Sequence, residues 1–535
     1  MLTRAEALLA SATATLAIAI LAAYTPYRLG WRVSPAIVLA IALAGGLWLA
    51  RRLWRDAAPS PTSGAVASVV VGGTALFFLA IARPDWVPVG GGPDLAHHLV
   101  LINYIARAWK LVDDPALYPF LGDMMDYTPG SHLLIALAGA WARVDPLRAV
   151  HPVLVVTVAL KAGFIFFIAR RLAPGGARRS LTGVVAALLL FVPYQYFAGS
   201  FATYSYWPQV VSELFACAAW WTVVVWTRHQ WRGATVLFAL FGATVFVTWP
   251  IWIGPVVALF AVTVATDVVT AKRDVRSALS PLAVGILPTA FVAAAHTIGR
   301  SGRLQMAATS GFAVRPSPDT LGWAFIVMAC AGIAVAIFSP KARQPLIFVS
   351  AIALQAVVLD VYARARGADT PYLAMKMMYL AIYPLAVAGA VAAGSRPWMA
   401  WLTAAILVPA VVHRVATAPR PPQIVTLSTW KAGVWARDHA NRACVDYLVG
   451  DGYTGYWLHL AVLDNPRGTK RFDDPATFDP QKAIARWVDI EGLPYAIVDN
   501  QAGFSKALFS GTETVARFDP SIVIKRSGAA VCPSE

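Results

Sequence analysis

The stretch GGGPDLAHHLV, residues 90–100, places an aspartate and two adjacent histidines where a glycine-rich turn runs into a helical apolar pattern. Asp94 stands at the start of that helix, and His97 and His98 follow three and four positions later. Those spacings gather the three side chains near one helical end. A carboxylate oriented and tuned by imidazoles could act as general base on a hydroxyl, or join them on a divalent metal. The D-x-x-H-H pattern is a loose one for a metal site. The plainer role for Asp94 is that of helix N-cap, which aspartate fills often. The two roles are compatible, because a cap also fixes the carboxylate in place.

A second group lies in YPFLGDMMDYTPGSH, residues 118–132. Asp123, Asp126, Tyr127 and His132 are candidate substrate contacts, forming either the wall of a site or a re-entrant turn held by ring packing. A third lies in YARARGADTPYLAMKMMYLAIYP, residues 362–384, where Lys376 sits inside an apolar run behind Arg364 and Arg366. A lysine within such a run either snorkels to the surface or marks a bound anion. With two arginines nearby, it suits a phosphate on a membrane lipid. Arg300, Arg303 and Arg315 are lesser additions to that basic lining. Glu213 and Lys161 also lie inside apolar runs, as structural groups or as members of an intramembrane ion pair, and Glu213 is a further candidate for substrate binding. Tryptophans and tyrosines at the ends of the runs read as an interfacial belt.

The elements that must position these groups are set by composition. Of 535 residues, 58% are hydrophobic and 13% charged. Soluble domains average about 45–50% apolar and about 25% charged, so most of this chain belongs in a bilayer. The net charge of +16 then reads as topology-setting arginines rather than nucleic-acid binding. Apolar runs near 7–24, 34–50, 64–82, 150–169, 181–198, 207–227, 233–249, 251–270, 278–298, 320–339, 345–362, 371–393 and 397–413 give about thirteen spans. The run 131–142 is short for a crossing. If it crossed, RRLAPGGARRS and every later basic loop would change sides, against the positive-inside rule. It is therefore expected to lie at the interface or to re-enter as a half-helix. The expected topology has a cytoplasmic N-terminus and outward-facing segments 83–149, 299–319, 363–370 and the tail. The N-terminal apolar run reads as a retained helix, because no clear cleavage signal follows it.

Segment 83–149 carries seven aspartates against five basic residues, reversing the sign of the chain, and is too long to be a mere connector. The expected organisation is a transmembrane unit over 1–418 and an extracytoplasmic α/β domain over 419–535. In that tail STWKAGVWARDHA and PQKAIARWVDIEG pattern as helices, and CVDYLVG, YAIVDN, ETVARF and SIVIKR as short strands. Cys217 and Cys330 lie in apolar runs. In an oxidising compartment Cys444 and Cys532 could pair, closing a loop worth about 4–5 kcal/mol on the chain-entropy model.

This pattern resembles the GT-C glycosyltransferases: many spans, an acid in a large early outward loop, interface helices in that loop, a cation near the end of a late span and an outward α/β tail. PDLAHH, YTPGSH and PYLAMKMMYL are similar, more specifically, to actinobacterial members including the arabinofuranosyltransferases. The resemblance implies a multi-pass plasma-membrane enzyme of cell-wall biogenesis. It would move a sugar from a polyprenyl-phosphate donor to an envelope glycan or lipid acceptor, with membrane lipids around it. By the same resemblance Asp94 is the base, with Asp123 and Asp126 as alternatives, and Lys376 with Arg364 or Arg366 holds the donor phosphate. Many relatives carry a paired acid motif directly after the first span; here the acid follows the third apparent span and is partnered by histidines.

The chemistry is coherent on its own terms. An outward site needs a membrane-anchored donor, a base for the acceptor hydroxyl and cations for the leaving phosphate. A general base fits an inverting displacement. The alternatives are a transporter or flippase of a polyprenyl-linked glycan, which would carry ionisable residues deep in several spans and repeated halves, and a wall-binding assembly protein.

Overall fold

The computed structural model describes residues 2–110, 124, 127–173, 178–229, 231–270, 276–298, 310–339, 343–418, 420–465, 472, 475–488, 493–500 and 503–528. The described residues fold into a helical bundle with a small sheet at the C-terminal end. In chain order the bundle comprises α1 (Arg4–Arg28), α2 (Pro35–Arg55), α3 (Pro61–Ile81), α4 (Gly92–Ala108), α5 (Gly130–Ala142), α6 (Pro146–Leu172), α7 (Arg178–Leu189), α8 (Trp207–His229), α9 (Arg232–Thr248), α10 (Ile253–Thr270), α11 (Arg276–Thr297), α12 (Trp323–Phe338), α13 (Arg343–Ala365), α14 (Tyr372–Ala393) and α15 (Pro397–Thr417).

Among the described residues, ten helices are long and apolar enough to cross a membrane: α1, α2, α3, α6, α8, α10, α11, α13, α14 and α15. The protein is a multi-pass membrane protein, and helices are what a bilayer demands, since each satisfies its own backbone groups. Of the thirteen expected runs, the remaining three fall on the shorter α7, α9 and α12. The run 181–198 is not one helix. It stops at Leu189, and two four-residue helices, Tyr194–Phe197 and Gly199–Ala202, follow Pro193, which cannot continue a helix. At about 1.5 Å per residue the 13-residue α5 spans roughly 20 Å, short of a hydrocarbon core of about 30 Å.

Burial sorts the helices. Helix α8 is buried nearly all round, α6 and α14 mostly so, whereas α2, α3, α11, α13 and α15 present apolar side chains outward, as lipid-facing helices do. Buried charge ties the start of α1 to the end of α6. Glu6, capped at the start of α1 by Thr3, accepts two bonds from Arg171 at the end of α6, one at 2.8 Å and one shorter, and another from the Trp221 indole at 3.3 Å. Each carboxylate oxygen has a donor, which a buried charge needs.

The tail contains α16 (Leu427–His439), α17 (Gly452–Trp457), a π-helical turn (Leu458–Val462), α18 (Pro480–Val488) and strands β1 (Val445–Leu448), β2 (Tyr495–Val498), β3 (Thr512–Phe518) and β4 (Ser521–Arg526). The sheet order is β1-β2-β4-β3, with β1 and β2 parallel and the rest antiparallel. All six expected tail elements form where their periodicity places them. Alternation divides the sheet: Tyr447, Ile497 and Val523 join the core continuous with the bundle, while Leu448, Val498, Ile522 and Ile524 pack with Trp487 of α18 on the other face. Cys444, at the head of β1, is buried and disulfide-bonded. Its expected partner Cys532 lies outside the described residues.

The tail also grips α4. The Gly90 amide donates to the Pro422 carbonyl at 2.8 Å, with Gly90 at φ +115° and its α-carbon against the Ser205 hydroxyl, a conformation and a closeness that only glycine tolerates. At the other end of α4, Arg107 bonds the Ala461 carbonyl and pairs with Asp464.

Candidate functional site

Helix α4 begins earlier than the sequence suggests. Its N-cap is Gly91, Pro93 sits in the first turn, and Asp94 lies inside that turn without a capping bond. The capping role expected for Asp94 is thus not what the structure gives. Among the described residues no donor satisfies its carboxylate, although it stands near the positive end of the helix dipole. Burial holds the Asp94 carboxyl above the ordinary carboxylate range, against the opposing pull of the Lys376 ammonium.

His97 and His98 diverge. His98 points into the bundle, 3% exposed, and its Nδ1 lies 3.0 Å from Nε2 of His132 at the start of α5. Its ring stacks on Trp207 of α8 at 5.4 Å, and Tyr127 closes the group against both imidazoles and Trp249. Burial, then the neighbouring His132, His97 and Lys376, keeps His98 neutral, and burial pushes His132 down to about 3. In a pair of neutral rings one nitrogen donates and the other accepts. His97 instead meets the edge of Tyr456 in α17, at 5.5 Å between ring centroids.

Lys376 of α14 completes the cluster. It is 1% exposed, and its ammonium lies over the ring of Tyr206 and within 4.9 Å and 5.3 Å of the ring centroids of Tyr372 and Tyr379. Among the described residues no carboxylate pairs with it, and Asp94 and Glu213 are the acids whose charge it feels. An aromatic cage offsets part of the cost of a buried ammonium while leaving its charge uncompensated. The field of Asp94 also reaches Tyr127 and Tyr206, whose hydroxyls burial chiefly, and then Asp94, raise above the ordinary phenol range. Asp94, His98, Tyr127, His132, Tyr206 and Lys376, from separate parts of the chain, therefore share one region.

The other candidates lie elsewhere. Arg364 is exposed and pairs with Asp360 on its own helix at 2.9 Å, and Arg366 is exposed with its guanidinium near the Tyr362 ring. Neither has an interaction with Lys376 among the described residues, so the expected lysine–arginine grouping does not form there. Arg315 is exposed on a loop whose carbonyls at Phe312 and Val314 accept from Tyr206 and Tyr196. Glu213 is fully buried, pairs with Lys161, and accepts from the Tyr383 hydroxyl at 2.5 Å. Asp123, Asp126, Arg300 and Arg303 lie outside the described residues.

Three His, Cys, Asp or Glu side chains do not converge among the described residues, and His98 and His132 spend a ring nitrogen on each other. These groups do not fit a divalent-metal site. The sequence missed the cage. Tyr206 falls in the aromatic run YFAGSFATYSYWPQ, which reads as interfacial belt but turns inward. The signal available was local: Tyr372 and Tyr379 lie four before and three after Lys376, on one helical face.

No protein-family profile and no curated protein matches the chain at a significant level. The fold does have likenesses. The crystal structure of ArnT from Cupriavidus metallidurans bound to undecaprenyl phosphate is 12% identical, with a TM-score of 0.50, covering 89% of this chain and all of that one. The archaeal oligosaccharyltransferase AglB from Archaeoglobus fulgidus, in complex with an inhibitory peptide and a dolichol-phosphate, is 12% identical at a TM-score of 0.49, covering 82% of this chain and 70% of that one. The second likeness is too slight to bear on the reading. The first is one of fold: the chain has a GT-C-like helical architecture with a small C-terminal sheet region.

Proposed function

We propose that the protein is a membrane glycosyltransferase that moves a sugar from a polyprenyl-phosphate donor to an envelope glycan or lipid acceptor on the outer face of the plasma membrane. The observation that carries this reading is the pairing of a partly buried, unbonded carboxylate with a caged, unpaired ammonium at one end of a GT-C-like bundle. ArnT, whose fold it resembles, was crystallised with undecaprenyl phosphate.

Asp94 accepts the proton of the acceptor hydroxyl as its oxygen attacks the anomeric carbon. The bond from that carbon to the phosphate oxygen breaks, and the phosphate leaves as an anion against Lys376. A base of raised affinity suits the proton transfer, and a preformed cation stabilises charge that develops on the leaving group. One displacement of this kind inverts the anomeric centre. His98 and His132, as neutral rings, wall the site, and Trp207 and Tyr127 offer apolar faces to the sugar. The PDLAHH, YTPGSH and PYLAMKMMYL stretches favour an arabinofuranosyl donor as the first to test. The acceptor side is furnished by the tail through Tyr456 beside His97.

The test is turnover of purified protein with a polyprenyl-phosphoryl sugar and candidate acceptors. Asp94→Asn should lose about 10²–10⁴-fold in kcat, the span of general-base effects, while Lys376→Met should lose donor affinity as well. Normal turnover by a well-folded Asp94→Asn would remove the assigned base. Thiol labelling of single cysteines near residue 94 from the cytoplasmic side would overturn the outward placement.

A further inference from the structure

A cavity of about 190 Å³ opens at the joint between the C-terminal end of α4, the start of α6 and the tail. Its walls carry Asn103, Arg107, Asp145, Trp430 and Arg437, closed by Ala461 of the π-helical turn. We propose that this cavity binds a single anionic sugar residue of an envelope glycan, through a carboxylate or a phosphate ester. It is separate from the Asp94–Lys376 cluster: Asn103 stands nine residues along α4 from Asp94, roughly 14 Å and two and a half turns away, on the opposite helical face.

Three features point to that ligand. The first is charge. Arg107, Arg148, Arg437 and Arg442 outnumber the three acids beside them among the described residues, Asp145, Asp464 and Asp438, the last paired with Arg437 at 2.9 Å. Asp464 is shared between Arg107 and Arg442, the latter at 3.1 Å. Asp145 already uses Oδ1 to cap α6 through the Leu147 amide at 2.9 Å. Burial, and then repulsion from Arg437 and Arg442, brings Arg107 down to about 10 against the pull of Asp145, consistent with one positive charge in excess. An oxyanion offsets that charge, and arginine is the residue suited to a forked bond with one.

The second is composition. An indole with a flanking amide and carboxylate gives a ring to stack on and planar partners for hydroxyls. The third is size. The cavity is below the roughly 300–1,000 Å³ of drug-sized pockets, so it takes one ring or headgroup rather than an extended chain. Bound there, a glycan is anchored to the tail and to α4 together, away from the chemistry.

The test is binding by saturation-transfer NMR and calorimetry to the full chain in nanodiscs, with no donor present, so that it stands or falls apart from the transfer reading. The probes are methyl glucuronide, glucose 6-phosphate, neutral methyl glucoside and inorganic phosphate. One of the two charged sugars should bind about tenfold or more above the neutral glucoside, as a charge-assisted bond implies, and which one does so names the source of the anion. Arg437→Gln, at a half-exposed side chain that leaves the fold intact, should erase that difference. Trp430→Ala should weaken every sugar. Equal binding of charged and neutral sugars, undiminished binding by Arg437→Gln, or inorganic phosphate binding as tightly as the sugars would overturn the proposal.

Discussion

The Lys161–Glu213 pair gives a sharp test of how charge is housed inside this bundle. Both side chains are fully buried and paired with each other. Lys161 lies 5.4 Å from the Phe197 ring centroid and 5.1 Å from that of Tyr383. The Tyr383 hydroxyl donates to Glu213 Oε2, while Oε1 has no partner among the described residues. Removing the lysine with Lys161→Met leaves the carboxylate one hydroxyl donor in a dry core. Breaking a buried pair in this way costs about 3–5 kcal/mol, or roughly 10²–10⁴-fold in the folded population. Glu213→Leu leaves an ammonium whose two ring contacts recover about 2 kcal/mol at most, so its cost falls near the lower end of that range. The double variant removes both charges and should return to within about 1 kcal/mol of the parent, because well-packed apolar side chains replace a buried pair without loss. The measurement is a double-mutant cycle by denaturant unfolding in detergent, with sugar transfer run on the same samples. Singles that cost under about 1 kcal/mol, or a double that loses the sum of both, would refute the idea of a mutually dependent pair. A double that folds like the parent but loses transfer more than a hundredfold would instead assign Glu213 to the substrate.

Transfer should depend on an ionised Asp94. Because burial raises this carboxyl, kcat/KM should fall on acidification at a pH above the ordinary aspartate value of 3.8, and a limb at or below that value would contradict the assignment. A carboxyl raised in the folded state stabilises the fold most at low pH and loses that contribution as pH rises through its folded value. Melting at pH 7 should therefore show Asp94→Asn no less stable than the parent. Gly332 of α12 presses on the backbone of Ala388 and Gly389 in α14, the helix that bears Lys376, so Gly332→Ala should cost at least about 1–3 kcal/mol and lower transfer; an unchanged melting temperature would show the helices can part freely. Reducing agent, or Cys444→Ser, should destabilise the tail by about 2–5 kcal/mol, read as earlier proteolysis of the tail.

The bundle was legible because a bilayer leaves the chain few options. A crossing needs a long apolar run, and such runs are visible one at a time. The tail strands were legible for a similar reason, since alternation over four to six residues already says which face is buried. The site was legible only in part. Asp94, His98, Tyr127, His132 and Lys376 were singled out by residue type, and the structure brings them to one place. Their partners were not visible, because His98 meets His132 across 34 positions and Lys376 meets Tyr206 across helices that no local period connects. Arg364 and Arg366 misled in the opposite direction: closeness in sequence to Lys376 suggested a shared ligand, but Arg364 bonds one turn back along its own helix. The position of Asp94 was displaced because Gly91 and Gly92 start the helix ahead of it.

Helix α4 is bracketed by residues more than three hundred positions downstream of it. Pro422, Tyr456, Ala461 and Asp464 hold it from both ends, although Asp94 itself emerges in the first fifth of the chain. A nascent polypeptide still on the ribosome thus has its helices threaded but the carboxylate-bearing segment unbraced. On the transfer reading, copies truncated before Pro422 should enter the membrane yet turn over no donor.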